Sequence, residues 1–236
     1  MLGLKLNRVV LDAGHGGNDH GSTSPGGLVE KELTLDVTLR LGKLLESRMG
    51  VEVIHTRPDD RFVALDARPV MANAQQADLF LSIHANSSPY RPAFGTETYY
   101  LSFSSDQAER SVAARENASS SKSVHDLGDL VHKIARYEKA TESRDFAARI
   151  QSAAHELVTK THGRAYNRGV KKAPFVVLIG TQMPAVLIEI GFLTNPREEE
   201  LMKRPEYRQG LAEALCRGVI RYAESLNNFR ASADGQ

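Results

Sequence analysis

Two apolar runs that each end in a histidine-containing turn constrain the fold of this chain more than any other feature. The run VVL leads into DAGHGG at residues 12–17, and the run LFL leads into SIHAN at residues 82–86. Short apolar runs bounded by turn residues indicate buried β-strands. Open α/β sheets bind ligands at the carboxyl ends of their strands. We therefore expect His15 and His84 to lie at one edge of a sheet.

A carboxylate interrupts a third apolar run. The sequence AVLIEIGF at 185–192 places Glu189 where a buried strand should be apolar. A buried carboxylate is costly unless it is paired or lies near a metal ion. A single histidine after a strand is more often a hydrogen-bonded structural residue. Two histidines together with glutamates, however, are the ligand types of a catalytic zinc site, so the combination predicts one.

The remaining pattern alternates strands and helices. It predicts a single α/β domain with a largely parallel, twisted sheet of about six strands flanked by helices. Strands are predicted at 8–12, 51–55, 79–84, 96–101, 174–179 and 185–190. Apolar residues at helical spacing predict helices at about 31–49, 64–76, 143–162 and 205–226.

The motifs of this chain resemble those of the zinc-dependent N-acetylmuramoyl-L-alanine amidases. These enzymes cut the bond between the glycan and the stem peptide of bacterial cell wall. The resemblance extends from Val9 to about Leu226 and rests on the segments DAGHGG, GLVEK, SIHAN and EIGFLTN. It implies one catalytic domain over residues 1–236, with peptidoglycan as the substrate and Zn²⁺ as the cofactor.

The resemblance also assigns roles to four residues. It implies that His15, Glu30 and His84 bind zinc and that Glu189 is the catalytic carboxylate. Without it, Glu30 would be an ordinary acidic residue before a helix. Zinc in such a site lowers the pKa of its bound water to about 7 and polarises a carbonyl. Glu189 would take the proton of that water and pass it to the leaving amine of L-alanine.

A polar stretch at 102–142 predicts a helical insertion within the domain. The segment SDQ at 105–107 can cap a helix that runs to about residue 118, and apolar spacing at 127–134 predicts a second short helix. The serine-rich segment at 119–123 is typical of a flexible joint. One interpretation is a surface decoration. The other is a regulatory arm, because some cell-division amidases look similar here and carry a helix that covers the active site until an activator protein moves it.

A carboxylate of such an arm could replace the water of the zinc site. Glu116 is the first candidate for this inhibitory ligand, and Glu138 and Glu142 follow. The alternative is that all three are solvated charges on helices.

Composition excludes several classes of protein and partner. The 236 residues carry a formal net charge of +1, so no nucleic-acid partner is expected. No apolar run approaches the roughly 20 residues of a membrane span, and no signal peptide is visible. The resemblance implies an exported, periplasmic protein whose signal peptide is not present in this chain. Cys216, the single cysteine, is expected in the core.

Two rival functions follow from the same motifs. Another zinc hydrolase, such as a carboxypeptidase or an aminopeptidase, would show an HxxE pair or the acids of a two-metal site. A non-catalytic cell-wall binding module would have lost Glu189 or a zinc ligand. Arg57 and Arg68, each followed by proline, are expected to be structural ion-pair partners near the sheet edge.

Overall fold

Six strands and six helices alternate along residues 6–120, 137–163 and 167–233, which are the residues that the computed structural model describes. The strands are β1 (Arg8–Ala13), β2 (Glu52–His55), β3 (Leu79–Asn86), β4 (Glu97–Leu101), β5 (Val170–Ala173) and β6 (Ala185–Phe192). The helices are α1 (Glu30–Met49), α2 (Ala67–Ala74), α3 (Gln107–Glu116), α4 (Tyr137–His162), α5 (Pro196–Met202) and α6 (Pro205–Ala233).

The strands form one sheet in the order β2-β1-β3-β6-β4-β5. The first four strands of that order run parallel, β4 is antiparallel to β6, and β5 is parallel to β4. The predicted sheet, largely parallel and of about six strands, is therefore confirmed. Because β1, β3 and β6 are parallel neighbours, the ends of these three strands meet at one edge. His84 lies opposite Glu189 in the register of β3 and β6.

Alternate residues of the central strands face two separate hydrophobic clusters. Val9 and Leu11 belong to the first cluster, whereas Val10 belongs to the second, as the two-residue period of a strand requires. Helices α1, α4 and α6 contribute to the first cluster, and Cys216 is buried there as expected. Among the described helices, none combines the length and the apolar character that a membrane crossing requires.

The prediction of a strand at 174–179 is wrong. The strand in this region is β5, which ends at Ala173 opposite Leu101 of β4. Pro174 has no N–H group to donate to a strand ladder. The following apolar residues instead form a 3-10 turn at Val176–Leu178, which is buried in the second cluster.

The insertion begins with a well-capped helix, as predicted. The Asp106 side chain accepts from the N–H of Glu109 at 2.8 Å, and the Glu109 side chain accepts from the N–H of Asp106 at 3.1 Å. Helix α3 then continues into a 3-10 turn at Asn117–Ser119. The predicted helix at 127–134 and residues 121–123 of the predicted joint lie outside the described residues.

Candidate metal and active site

The turn after β1 holds His15 in an unusual backbone conformation. His15 has a φ of 62°, a region that residues other than glycine rarely adopt. Two fully buried arginines bind the main chain of this turn. Arg57 donates to the carbonyl oxygens of Ala13 at 2.9 Å and Gly14 at 2.8 Å. Arg68 donates to those of Ala13 at 2.8 Å and His15 at 3.0 Å, so the strained turn is fixed from several directions.

Asp12 provides the charge that Arg68 needs in the interior. The two side chains form an ion pair at 2.9 Å, which is the structural role predicted for Arg68. Thr56 and Ser82 also donate to the Asp12 carboxylate, at 2.6 and 2.7 Å. Burial alone would raise the pKa of Asp12, but Arg68 and the two hydroxyl groups hold it below its usual range. Arg57 differs from the prediction, because among the described residues it donates to four main-chain carbonyls and to the Thr34 hydroxyl rather than to a carboxylate.

Asp19 orients the imidazole of His15. Its Oδ1 lies 2.9 Å from His15 Nδ1, which leaves Nε2 directed into the site. Burial would raise the pKa of Asp19, but the bond to His15 lowers it to about 2. A carboxylate that holds the second ring nitrogen is the usual partner of a metal-binding histidine. Sequence reasoning missed Asp19, and the signal that could have identified it is its spacing of four residues from His15.

Glu30 is the first residue of α1 and is held by two main-chain donors. Its Oε2 accepts from the N–H of Ser22 at 2.8 Å, and its Oε1 accepts from the N–H of Ala85 at 3.0 Å. Oε1 also lies 3.1 Å from His15 Nε2 and 3.3 Å from His84 Nδ1. Burial would raise the pKa of Glu30, but the adjacent histidines hold it well below its usual range. The residue is therefore a fixed anion.

Two glycines make room for the histidine rings. A Cβ atom on Gly14 would lie 2.5 Å from the His84 ring. A Cβ atom on Gly21, which has a φ of +64°, would lie 2.5 Å from the His15 ring. Neither position tolerates a side chain without movement of a ring, so the glycines of the loop allow the close approach of both histidines.

Glu116 reaches this site from the end of α3. Its Oε2 lies 2.9 Å from His84 Nδ1 and 3.2 Å from His15 Nε2. One donor atom from each of His15, Glu30, His84 and Glu116 lies within 4.8 Å of the others. The structure thus brings together the three predicted ligands and the first candidate for the inhibitory ligand. Glu142 is instead partly exposed and paired with Lys139 at 2.7 Å.

The geometry of these four donors fits a metal ion. Ligand bonds of 2.0–2.1 Å arranged as a tetrahedron place the donor atoms about 3.3 Å apart. The four distances between a histidine nitrogen and a carboxylate oxygen are 2.9 to 3.3 Å, and all four donors lie within 4.8 Å of one another. His15 Nε2, His84 Nδ1 and Glu116 Oε2 are buried, and no hydrogen bond satisfies them among the described residues. Buried polar atoms usually have a partner. The donors converge on a common centre rather than on each other.

Both histidines hold protons in the absence of a metal ion. Burial lowers the pKa of His15, but Glu30, Asp19 and Glu116 outweigh it and raise the value to about 12. Burial also lowers the pKa of His84, but Glu116 and Glu30 raise it to about 9. A metal ion would have to displace these protons, because only a neutral imidazole nitrogen can be a ligand. Without a metal ion, the two protonated imidazoles balance the carboxylates of Glu30 and Glu116, and a divalent cation would take the place of the two protons.

Glu189 lies beside the cluster with no compensating partner. It is fully buried, and neither carboxylate oxygen has a hydrogen bond among the described residues. Burial and the neighbouring carboxylate of Glu116 raise the pKa of Glu189 well above its usual range. A strongly perturbed carboxylate next to a metal-type cluster is a candidate acid or base. The side chain of Glu138, another predicted candidate, lies outside the described part of the chain.

Two imidazoles, a fixed carboxylate and an adjacent buried carboxyl group are typical of metal-dependent hydrolases. A family model described as N-acetylmuramoyl-L-alanine amidase matches residues 9–221. The chain therefore belongs to the N-acetylmuramoyl-L-alanine amidase family and is an enzyme that hydrolyses peptidoglycan. The resemblance inferred from the motifs is confirmed.

Relatives and solved structures agree with this assignment. The chain is 32% identical to the amidase AmiA of Escherichia coli over 228 residues, which cover 94% of this chain and 78% of that protein. It is 31% identical to AmiC of Neisseria meningitidis over 91% of this chain and 52% of that protein. An amidase structure from Clostridium difficile 630 matches with a TM-score of 0.73, at 30% identity, over 94% of this chain and 98% of that one. The CwlD amidase of Clostridioides difficile, solved in complex with the GerS lipoprotein, matches with a TM-score of 0.71 at 26% identity, over 93% and 99% of the two chains.

Proposed function

We propose that this amidase is a zinc enzyme held inactive by its own insertion. His15, Glu30 and His84 bind the zinc ion, Glu189 is the general base, and Glu116 blocks the fourth position. The observation that carries the proposal is the convergence of four buried donors, all within 4.8 Å of one another, beside a buried carboxyl group that has no hydrogen bond among the described residues. Two imidazoles and carboxylate oxygen suit zinc, which favours four nitrogen, sulfur or oxygen ligands.

The chemistry assigned to each residue follows from its charge and position. Zinc in such a site acidifies water and polarises the amide carbonyl of the substrate. Glu30 and the neutral histidines leave the centre with a net positive charge. Glu189 accepts a proton from the attacking water and delivers it to the amine of L-alanine as that amine leaves. The carboxylic acid product stays on the muramoyl lactyl group.

Glu116 explains why the closed form would be inactive. Catalytic zinc sites have three protein ligands and keep the fourth position for water or substrate. A carboxylate as the fourth ligand would take that position and would also cancel the positive charge that activates water. A purely decorative insertion gives no reason for a buried carboxylate among the metal donors, because charged residues are rarely buried without a partner.

The closed arm is attached mainly through polar contacts. Ala113 and Glu116 are the buried residues of α3. Arg115 donates to the side-chain oxygen of Asn86 at 2.7 Å. The side chain of Asn117 bonds the main chain of Pro174 and Val176, both at 2.9 Å. Polar contacts can be exchanged for water, and an element that buries little apolar surface has low local stability.

An element of this kind suits displacement by a protein activator. The partner needs only to bind the open form more tightly than the closed form, by about 1.4 kcal/mol for each tenfold shift. The complex of the related CwlD amidase with the GerS lipoprotein supports a protein partner. We place the enzyme in the periplasm, with residues 102–142 as the regulatory part of a catalytic domain that acts in cell division.

The test is the substitution Glu116→Ala in the full chain. The variant should retain one zinc ion by elemental analysis and should cleave purified sacculi about tenfold faster or more. Each tenfold increase corresponds to about 1.4 kcal/mol less free energy favouring the closed form over the open form. Arg110→Ala is the matched control, because Arg110 lies on the exposed side of the same helix and donates to Ser105 and Gln107, its neighbours in the chain. Unchanged cleavage with full zinc content would leave the insertion as a decoration.

A further inference from the structure

Asn86 ends β3 two residues beyond His84 and therefore lies on the same side of the strand. Its side chain is buried, with 1% of the residue exposed. The oxygen Oδ1 accepts a hydrogen bond from Arg115 at 2.7 Å. The amide nitrogen Nδ2 lies 3.4 Å from an oxygen of Glu97. Asn86 is thus a buried amide whose oxygen faces the arm.

The orientation of this amide does not depend on the arm. Glu97 accepts from the hydroxyl of Tyr99 at 2.6 Å and pairs with Lys171 at 2.9 Å, and it lies opposite Glu189 in the sheet. This fixed carboxylate can only accept, so it holds the NH₂ group of Asn86 on its own side. The carbonyl oxygen of Asn86 is therefore directed away from Glu97, toward the position that Arg115 occupies.

Adjacent residues of the arm occupy two positions at once. Glu116 places a carboxylate oxygen among the metal donors, and Arg115 places an N–H group on Asn86. A peptide group offers the same pair, a carbonyl oxygen followed by an N–H. When the arm leaves, the buried oxygen of Asn86 loses its donor, which is unfavourable unless another N–H group replaces it.

We propose that Asn86 is a substrate-binding residue that accepts a hydrogen bond from a stem-peptide N–H, and that Arg115 imitates this N–H in the closed form. The N–H belongs to one of the two amide bonds that flank the alanine, because these follow the carbonyl that undergoes attack. This inference rests on the proposed closure of the site by the arm and names how that same site holds its substrate. The arm then competes with substrate at two points rather than one.

The test compares substrates that have or lack the N–H group. The full-length, zinc-loaded Arg115→Ala protein is compared with the double variant Arg115→Ala/Asn86→Ala. The substrates are a soluble N-acetylmuramoyl peptide and two analogues in which an ester oxygen replaces the N–H of one flanking amide bond. We expect the ratio of kcat/KM for the amide to that for one of the esters to fall about tenfold when Asn86 is removed.

A purely structural role of Asn86 would lower kcat/KM equally for all three substrates, and that result would overturn the proposal. The intrinsic reactivity of an ester cancels, because the same substrates are compared in both proteins. Asn86→Leu, which fills the volume of the amide but cannot accept a hydrogen bond, should lower the ratio as alanine does and serves if the alanine variant does not fold. Zinc content and thermal unfolding are measured for every variant.

Whether the arm inhibits the enzyme is measured separately, from the basal cleavage of the single variants. If neither Arg115→Ala nor Glu116→Ala raises basal cleavage, the arm is not an inhibitor and the proposed regulation fails. The amide-to-ester ratio still decides whether Asn86 contacts the substrate. Binding without turnover gives an independent measurement. A Glu189→Gln/Arg115→Ala protein should bind the amide more tightly than the relevant ester. Adding Asn86→Ala to this protein should remove the difference in affinity.

Discussion

The two sides of the proposed zinc position are built by different means. On one side, His15 lies in the turn after β1, Glu30 begins α1 and His84 lies on β3. Asp19 holds the ring of His15, and two main-chain N–H groups hold Glu30. On the other side, Glu116 projects from a helix that buries little of its own surface. Both sides supply donors at nearly the same distances.

This difference allows the affinity for the metal ion and the regulation of activity to depend on different residues. The three residues on the sheet cannot move without breaking the sheet or exposing buried ion pairs, so their geometry is preorganised for the metal. Glu116 can leave when a few polar contacts of α3 are replaced by water. A site with one permanent side and one removable side can keep its metal while the enzyme changes between inactive and active forms.

The largest expected effect comes from the permanent side. Glu189→Gln should keep the fold and the zinc ion, because the amide is nearly isosteric with the buried carboxyl group. It cannot accept a proton, however, and loss of a general base typically costs about 10²–10⁴-fold in rate. The measurement is cleavage of sacculi in the Glu116→Ala background, where the arm does not limit activity. A decrease of only a few fold would assign the proton transfer to another group.

Asp19 tests how much the permanent side depends on its supporting residues. Asp19→Ala removes the bond that orients His15, and loss of such a partner typically weakens metal affinity about 10–100-fold. His84→Ala, which removes a ligand, sets the limit of complete zinc loss. Asp59→Ala is the control, because Asp59 is an exposed acid that pairs with Arg61. Competition with a chelator measures the affinities, and an Asp19 variant as tight as the control would contradict the role.

The sequence predicted the permanent side far better than the removable side. His15, His84 and Glu189 follow or interrupt apolar runs, and such runs mark strand ends whatever the rest of the chain does. Glu30 has no such local signal and came only from the family resemblance. The support given by Asp19 and by Arg57 depends on a turn with a positive φ at His15, which residue patterns do not reveal.

The region of β5 shows a second limit of sequence patterns. The apolar run at 174–179 has the composition of a buried strand, but burial can be satisfied equally by a 3-10 turn once Pro174 interrupts the ladder. This 3-10 turn also contacts the arm. The main chain of Pro174 and Val176, freed from strand pairing, bonds the side chain of Asn117. No periodicity could have predicted that contact between segments far apart in the chain.

Proton release gives a third test of the comparison. In the metal-free protein the pKa of His84 is raised to about 9 and that of His15 to about 12, from the 6.5 of an ordinary histidine. Raised values mean that these protons stabilise the metal-free fold fully below pH 6.5 and that the His84 contribution is lost as the pH rises through about 9. Zinc must displace both protons, so its apparent affinity should rise with pH by about tenfold per unit for each proton.

The slope should decrease above pH 9, where His84 is already neutral. Burial lowers the pKa of His84 and Glu116 raises it, so Glu116→Ala should move this change of slope to lower pH. Zinc titrations between pH 6 and 10, corrected for the chelator, measure it. An affinity that does not depend on pH would mean that the histidines do not hold protons in the metal-free site.

The smallest effect is expected from Asn117, which bonds the arm to the main chain of Pro174 and Val176 and is not one of the four metal donors. Asn117→Ala removes two hydrogen bonds to the main chain near β5, which should weaken closure by about 1 kcal/mol and raise basal cleavage about fivefold. In the Glu116→Ala background the same change should add little, because the arm is already open and the two effects are not additive. Cleavage of sacculi by the four proteins forms the cycle. An increase as large as that of Glu116→Ala would mean that the polar contacts of the arm, rather than its carboxylate, keep the enzyme closed, and an unchanged rate would mean that these contacts do not hold the arm at all.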